Sequence, residues 1–324
     1  MRLKLIPSET SIDFFRHAKL FLGLSGLGVL ASVLAFFVIG LNFGIDFRGG
    51  TLIRTESQLA VDVGQYRDVL TPLKLGDVSI SEVFDPNFPA DKHVTQIRIE
   101  QQDGAEAVTV ETIAVIKSAL YTLDPEMKFP AIESVGPKVS GELIWTAILA
   151  VVLAITAVLF YIWLRFEWQF SVGAVLALIH DVMLTIGVFS VFQIRFDLAI
   201  IAAILTIVGY SLNDTVVVFD RVRENLRKYR TTPLKEVLNL SINETLSRTL
   251  MTSGTTLIAL IALFFLGGDV IRGFVFAMIW GIVVGTYSSI FIASTFLLRL
   301  GVKRDWSANA NGGGAGTQFA DIDA

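Results

Sequence analysis

One carboxylate, Asp214, lies well inside an apolar stretch from Leu198 to Phe219 that is long enough to cross a bilayer. A charge at the centre of a spanning helix costs about 2.5–3.5 kcal/mol on insertion scales, so residues of this kind usually face a protein interior and serve ion or proton movement. Arg248 opens the next apolar stretch and is the best-placed partner for Asp214. The two residues predict an acid–base pair inside the membrane that protonation of the carboxylate would weaken.

Further polar residues share a helical face with Asp214. Thr206, Tyr210 and Asp214 repeat at four-residue spacing, and Asn213 follows Tyr210 by three residues. Residues three and four apart lie on the same side of an α-helix. This face therefore predicts a polar path rather than a surface for lipid.

Two neighbouring apolar stretches carry comparable groups. Thr252 follows Arg248 by four residues, and His180 and Asp181 lie near the middle of an earlier stretch. Titratable and hydroxyl groups on three helices are the components from which a proton relay can be built. We therefore regard His180, Asp181, Tyr210, Asn213, Thr206 and Thr252 as candidate members of a relay centred on Asp214 and Arg248.

Each of these groups also has a purely structural interpretation. A buried Asp–Arg pair can lock two helices together, and His180 with Asp181 can bond to backbone or to a neighbouring hydroxyl, although the sequence shows no matching partner for them. Arg248 lies close enough to the interface for its side chain to reach water. Both interpretations remain open from the residues alone.

The composition is that of a membrane protein. Hydrophobic residues make up 53% of the 324 residues, charged residues only 17%, and the mean hydropathy is +0.64. Cysteine is absent, the three histidines have no zinc-site spacing, and no Gly-x-x-x-x-Gly-Lys-Ser/Thr loop occurs. No basic stripe indicates nucleic acid. We expect no enzyme activity of the chain's own, no metal and no cofactor, and a lipid bilayer as its surroundings.

Lysine and arginine in the short loops predict the orientation, because they are enriched on the cytoplasmic side. They cluster at the N-terminus, after the fourth apolar stretch and after the sixth. The lengths of the apolar stretches predict spans at 20–41, 143–164, 170–192, 198–219, 249–267 and 273–298. The charge pattern then predicts a cytoplasmic N-terminus over 1–19, an external domain at 42–142 and a basic cytoplasmic loop at 220–248. The tail at 299–324 is predicted to be cytoplasmic, and its composition is that of a flexible segment.

The external segment is predicted to be a folded α+β domain. Short alternating runs favour strands at 51–56, 78–84, 94–100 and 130–135, and helices are favoured at 61–73 and 105–123. The order βαββαβ is ferredoxin-like. About ninety residues can bury one modest core, so a docking or lever domain is expected rather than an enzyme with a deep cleft.

The sixth stretch carries a small residue at every fourth position, which lets another helix approach closely. We expect a packing interface here, within the chain or with a partner, and it is our first candidate for a surface that faces a partner. The ladder consists of Gly273, Ala277, Gly281, Gly285, Ser289 and Ala293.

Four separated motifs resemble the SecF members of the SecD/SecF family of bacterial protein-export proteins, and the resemblance covers roughly residues 12–304. They are NFGIDFRGGT at 42–51, ESVGPKV at 133–139, GYSLNDT at 209–215 with FDRVREN at 219–225, and SRTLMTS at 247–253. The Gly-Ile-Asp-Phe-Arg-Gly-Gly run is shared with SecD. The motif residues singled out are Gly44, Asp46, Phe47, Arg48, Gly49, Gly50, Gly136 and Pro137.

The resemblance implies a six-helix half of a resistance-nodulation-division (RND) type fold, with SecD as the pseudo-symmetric other half. It implies a multi-pass protein of the inner membrane that works beside the SecYEG channel and SecA, with YajC and YidC as further candidate partners. The proton-motive force would then help to draw an emerging polypeptide outward. Carried over by motif, the proton-path residues are Asp214 and Arg248.

Three alternatives have separate tests. A scaffold subunit that moves no protons would tolerate substitution of Asp214. Half of a proton-coupled small-molecule exporter is disfavoured because such exporters usually carry both halves in one chain. An intramembrane aspartyl protease could place Asp181 and Asp214 on adjacent spans, but its Gly-x-Gly-Asp signature is absent, since Asp214 follows Ser-Leu-Asn.

Overall fold

The structure, a computed structural model, describes residues 10–60, 62–86, 88–89, 91–100 and 108–302. The predicted tail beyond residue 302 and the first nine residues therefore lie outside the described part. In chain order the elements are α1 (Ala18–Val38), β1 (Asn42–Phe43), α2 (Ile45–Arg48), β2 (Gly50–Ser57), α3 (Val63–Leu70), β3 (Val78–Val83), β4 (His93–Glu100), α4 (Val110–Leu120), β5 (Lys128–Val135), α5 (Pro137–Arg165), α6 (Trp168–Val191), β6 (Arg195–Phe196), α7 (Leu198–Lys228), α8 (Leu234–Leu266), α9 (Asp269–Ser288) and α10 (Ser294–Leu300).

Six helices in the described part of the chain are long and apolar enough to cross a membrane. They are α1, α5, α6, α7, α8 and the sixth span, in which a π-helical turn at Ser289–Ala293 joins α9 to α10. Single π-turns inside membrane helices are uncommon and often mark functional positions. The chain is a multi-pass membrane protein.

The helices α7 and α8 extend further toward each other than hydropathy predicts. Residues 220–248, expected as a loop, are helical except around a short turn, since α7 continues to Lys228 and α8 already begins at Leu234. Polar contacts hold the two extensions together: Arg221 Nε donates to Glu244 Oε2 at 2.7 Å, and Asn225 Nδ2 donates to the same oxygen at 2.6 Å. Hydropathy detects only the apolar part of such a helix, whereas its hydrogen bonding continues into water.

The membrane helices differ in how much of their surface the chain itself covers. In the most apolar window of each helix, half of the residues are buried in α6 and in α7, and 61% are buried in the sixth span. The buried share is only 6% in α5 and 11% in α8. The third, fourth and sixth spans therefore form the centre of the bundle. The outer surfaces of α5 and α8 are left for lipid or for a partner.

The small-residue ladder of the sixth span packs against α7 of the same chain. A Cβ on Gly281 would overlap the side chain of Ile207, and a Cβ on Gly285 would lie 3.0 Å from Ser211 Cβ. Helices approach this closely only where one of them lacks side chains. The ladder is an internal interface, so it was the wrong first candidate for the surface that faces a partner.

The external domain has the predicted βαββαβ order. Its four-stranded antiparallel sheet runs β3-β4-β2-β5, with β2 paired to both β4 and β5. Ile53 and Ile97 of the sheet and Leu70 and Leu120 of the helices are buried together in its core. The ferredoxin-like arrangement is confirmed. The helix predicted at 105–123 is observed as α4 over Val110–Leu120, and residues 105–107 of that prediction lie outside the described part of the chain.

Candidate functional site

Asp214 is buried on α7, as the sequence predicted, but it does not form the predicted ion pair. Its Oδ2 atom has no hydrogen-bond partner, and within the described residues no ion pair of 4.0 Å or less joins it to Arg248. Arg248 is exposed on α8, although its charge still acts electrostatically on the carboxylate. Burying a carboxylate oxygen without a partner is unfavourable, so the described residues leave this one oxygen unsatisfied.

The other polar residues predicted beside Asp214 lie on the outer side of α7 and α8. Thr206, Asn213 and Thr252 are exposed, and the half-buried Tyr210 donates from its hydroxyl to Thr256 Oγ1 at 3.5 Å. Side chains of this kind are unfavourable against hydrocarbon. We call this surface, with Arg248, the polar face of α7 and α8.

Asp181, in contrast, is fully buried and fully bonded. Its Oδ2 accepts from Ser211 Oγ of α7 at 2.6 Å and from Ser288 Oγ of α9 at 2.7 Å, and its Oδ1 lies 2.9 Å from His180 Nδ1. One carboxyl group therefore joins the third, fourth and sixth spans immediately before the π-turn. The sequence showed no partner for it because the two serines lie 30 and 107 residues away.

A second polar connection extends from His180 toward α1. The His180 ring lies 6.0 Å from the ring of Tyr287, whose hydroxyl donates to Phe21 O at 3.2 Å and lies 2.9 Å from Ser25 Oγ. His180 Nε2 is buried without a partner among the described residues. Tyr287 and Ser25 were missed, and their only sequence signal is that both are polar residues inside apolar stretches.

The glycine-rich motif after α1 connects the external domain to α7. β1 and β6 pair in parallel, Gly44 N donates to Phe196 O at 2.8 Å, and Asp46 Oδ2 accepts from Leu198 N at 3.1 Å. The Phe47 ring packs against the Phe196 ring. The motif thus contacts the N-terminal end of the helix that carries Asp214.

The remaining motif residues lead into regular elements. Arg48 Nη1 contacts Glu100 Oε1 at 3.1 Å, and Gly49 and Gly50 have φ of 75° and 128°, a region that favours glycine. Gly136 is the N-cap of α5, and Pro137 is the first residue of that helix.

Comparison with known proteins identifies the family. The model for the C-terminal part of the SecD/SecF protein export membrane proteins matches residues 115–303, and the model for the SecD/SecF GG motif matches residues 34–58. The chain is 60% identical to the protein translocase subunit SecF of Cereibacter sphaeroides, covering 100% of this chain and 99% of that protein. It is 41% identical to the SecF subunit of Vibrio alginolyticus, covering 93% and 94%.

Larger relatives match the chain over only part of their length. The SecDF subunit of Brucella abortus is 43% identical over 93% of this chain, which spans 39% of that protein. The crystal structure of SecDF, a translocon-associated membrane protein from Thermus thermophilus, matches with a TM-score of 0.80 at 34% identity. The match covers 91% of this chain and 39% of that one, and it confirms the predicted RND-type fold, with six apolar helices and a small α+β domain. The chain therefore belongs to the SecD/SecF family of protein-export membrane proteins.

Proposed function

We propose that the chain is an auxiliary subunit of Sec protein export that, together with a SecD partner, uses the proton-motive force to promote polypeptide translocation across the inner membrane. The observation that carries this proposal is the buried, unpartnered carboxylate oxygen of Asp214 in the fourth span. An ionisable group at this depth needs either a proton or a countercharge. Family membership supplies the setting in which such a group would act.

The polar face of α7 and α8 supports a SecD partner. Thr206, Asn213 and Thr252 lie exposed on it beside the buried Asp214, and Arg248 lies exposed on α8. A partner that covered this face would exclude lipid from these groups and could bring a polar side chain to the free oxygen of Asp214. The relatives named SecDF, in which this chain matches 39% of a longer protein, agree with a two-half assembly.

The mechanism that we propose is a charge-controlled movement of α7. An ionised Asp214 is attracted by the charge of Arg248 across a gap that no direct ion pair closes in the described chain. Protonation from the external side removes that attraction, α7 shifts against the sixth span, and release of the proton inward restores it. One charge that crosses 100 mV supplies about 2.3 kcal/mol, enough to shift a two-state helix arrangement substantially.

The cellular setting is proposed on the resemblance and on loop charge. Basic residues after α7 and at both ends of the chain support the proposal that both termini lie in the cytoplasm and that the chain resides in an inner membrane. The SecYEG channel and SecA are the proposed working partners, with YajC and YidC as further candidates. ATP hydrolysis is assigned to a partner, since the chain has no phosphate-binding loop.

The test is reporter export in vesicles that carry the chain with its SecD partner, before and after collapse of the proton gradient. Asp214→Asn should abolish the gradient-dependent part of export while assembly stays normal. Asp220→Asn is the matched control, because Asp220 lies on the same helix and is exposed. Full export by Asp214→Asn would contradict the proton role and favour a scaffold subunit, whereas gradient-dependent efflux of a small molecule would favour an exporter half.

A further inference from the structure

We propose that Asp46 is a positioning residue that clamps the external domain to the first turn of α7, so that movement of one is passed to the other. This inference rests on the proposed function for its biological meaning. Its structural basis is a hydrogen bond between residues 152 positions apart, from Leu198 N to Asp46 Oδ2 at 3.1 Å.

Two carboxylates share the free amides at the start of α7. The N-cap residue Asp197 accepts from Ile200 N at 3.3 Å, while Asp46 accepts from Leu198 N. The first amides of a helix have no partner within the helix, and a cap normally comes from the adjacent residue. Here the second cap comes from a different part of the fold, so the helix end is bonded to the motif that leads into the external domain.

The link from Asp46 to the external domain is short. α2 ends at Arg48, and after Gly49 the chain enters β2 at Gly50, which is the strand bonded on both sides in the sheet. Arg48 adds a contact to Glu100 at the end of β4. Only three residues lie between Asp46 and the first residue of the central strand, Gly50, so the sheet can move little relative to the cap.

The attachment at α7 is equally close. A Cβ on Gly44 would lie 3.2 Å from Asp197 Cβ, and the Phe47 ring lies 6.0 Å from that of Phe196. Side chains packed to this density resist sliding. The clamp therefore holds α2 and the start of α7 as one unit.

The space beside the clamp allows the rest of the domain to move. A cavity of about 550 Å³ separates the open face of the sheet from the external ends of the spans. Asp46 lines it on one side, and the charged side chains of Arg54, Glu133, Arg195 and Arg272 line it elsewhere. The external domain is attached at Asp46 and has open space beside that attachment, so it can rotate about this point as a hinged domain does.

Asp214 lies sixteen residues along α7 from Leu198, which corresponds to roughly 24 Å of helix at 1.5 Å per residue. A continuous helix can carry a tilt or shift over this distance, since its hydrogen bonds keep it stiff. The proposed route runs from β2 through Asp46 to α7 and along α7 to Asp214.

The experiment compares Asp46→Ala, Asp46→Asn and Asp62→Ala in the complex with the SecD partner. Asp46→Ala removes the acceptor for Leu198 N, whereas the amide oxygen of Asp46→Asn can still accept that bond. Asp62→Ala is the control, because Asp62 caps α3 within the external domain by accepting from Gly64 N and Gln65 N. The readouts are gradient-dependent export, proton entry through the complex, and hydrogen exchange in the first turn of α7.

Asp46→Ala should lose gradient-dependent export while proton entry persists, and exchange in the first turn of α7 should rise about fivefold, the factor that corresponds to one capping bond. Asp46→Asn should restore both, and Asp62→Ala should change neither. Normal export or unchanged exchange in Asp46→Ala would overturn the clamp.

If Asp46→Ala does not assemble, an Asp46→Asn complex with impaired coupling would overturn it, and one with normal coupling would support it. If the wild-type complex lacks a gradient-dependent phase, the proposed function fails, and exchange alone decides whether the clamp exists.

Discussion

Ser211 and Asp214 lie one turn apart on α7, yet only Ser211 is bonded into the core of the bundle. Ser211 Oγ donates to Asp181 Oδ2 at 2.6 Å, while Asp214 Oδ2 is buried without a partner in the part of the chain that the structure describes. Asp181, whose carboxyl oxygens are bonded, is suited to holding helices together. Asp214, with an unbonded carboxylate oxygen, is suited to changing its charge.

Asp181→Ala should destabilise the bundle more than Asp214→Ala. The Asp181→Ala substitution leaves Ser211, Ser288 and the His180 ring without their acceptor. Hydrogen bonds between membrane helices average about 0.6 kcal/mol, so three of them amount to roughly 2 kcal/mol. Thermal unfolding of the purified complex in detergent measures this difference, and equal melting temperatures for the two variants would refute it.

Gly281→Val should weaken the packing of the sixth span on α7. Its side chain would overlap Ile207, and overpacking of this kind typically costs about 1–3 kcal/mol. Gly209→Ala is the control, because a Cβ there meets nothing within 4 Å. Unfolding in detergent should separate the two substitutions, and a Gly281→Val protein as stable as Gly209→Ala would show that the interface is looser than described.

Asn243→Ala should release the segment before α1 from α8. Asn243 Oδ1 accepts from Thr10 Oγ1 at 2.6 Å and from Ile12 N at 3.0 Å, and its Nδ2 donates to Ile12 O at 2.9 Å. Limited proteolysis near residue 12 should become faster. Asn243→Asp retains the acceptor but not the donor, so it should fall between wild type and alanine; cleavage of both variants at the wild-type rate would argue against this docking.

The same docking should weaken in acid through Asp13. Hydrogen bonds from Asn239, from Lys235 and from the backbone N–H of Phe15 together lower the pKa of Asp13 from its ordinary value of 3.8, although desolvation acts in the opposite direction. Because the folded pKa is depressed, the contribution is fully present above pH 3.8 and is lost as the pH falls through the folded value. The mobility of a spin label at position 12 should rise in that window, and Asp13→Asn should remove the pH response.

The polar face of α7 and α8 should contact the SecD partner. The chain has no cysteine, so single substitutions can be labelled without background. Asn213→Cys and Thr206→Cys should crosslink to the partner and be shielded from lipid-soluble reagents in the complex. Trp163→Cys on the exposed side of α5 is the control, and equal crosslinking at Trp163 and Asn213 would remove the reason for assigning this face to SecD.

Sequence reasoning was most successful where a single element carries the signal. The apolar lengths identified the six spans found among the described residues, and alternation with turn residues identified the βαββαβ order of the external domain. The helical segment at 220–248 was missed because its charged residues resemble those of a loop. The family motifs identified Asp46 as important without indicating its contact.

What the sequence by itself determined is therefore which segments cross the membrane, how the external domain is ordered, and that Asp214 is an acid inside a span. Only the tertiary structure decided that Asp181 bonds to Ser211 and Ser288, that Asp46 caps α7, and that the small-residue ladder of the sixth span faces α7 rather than a partner. The physical reason is that hydropathy and periodicity act within one element. A hydrogen bond or a close helix approach depends on the three-dimensional placement of residues that are 30 to 152 positions apart in the chain.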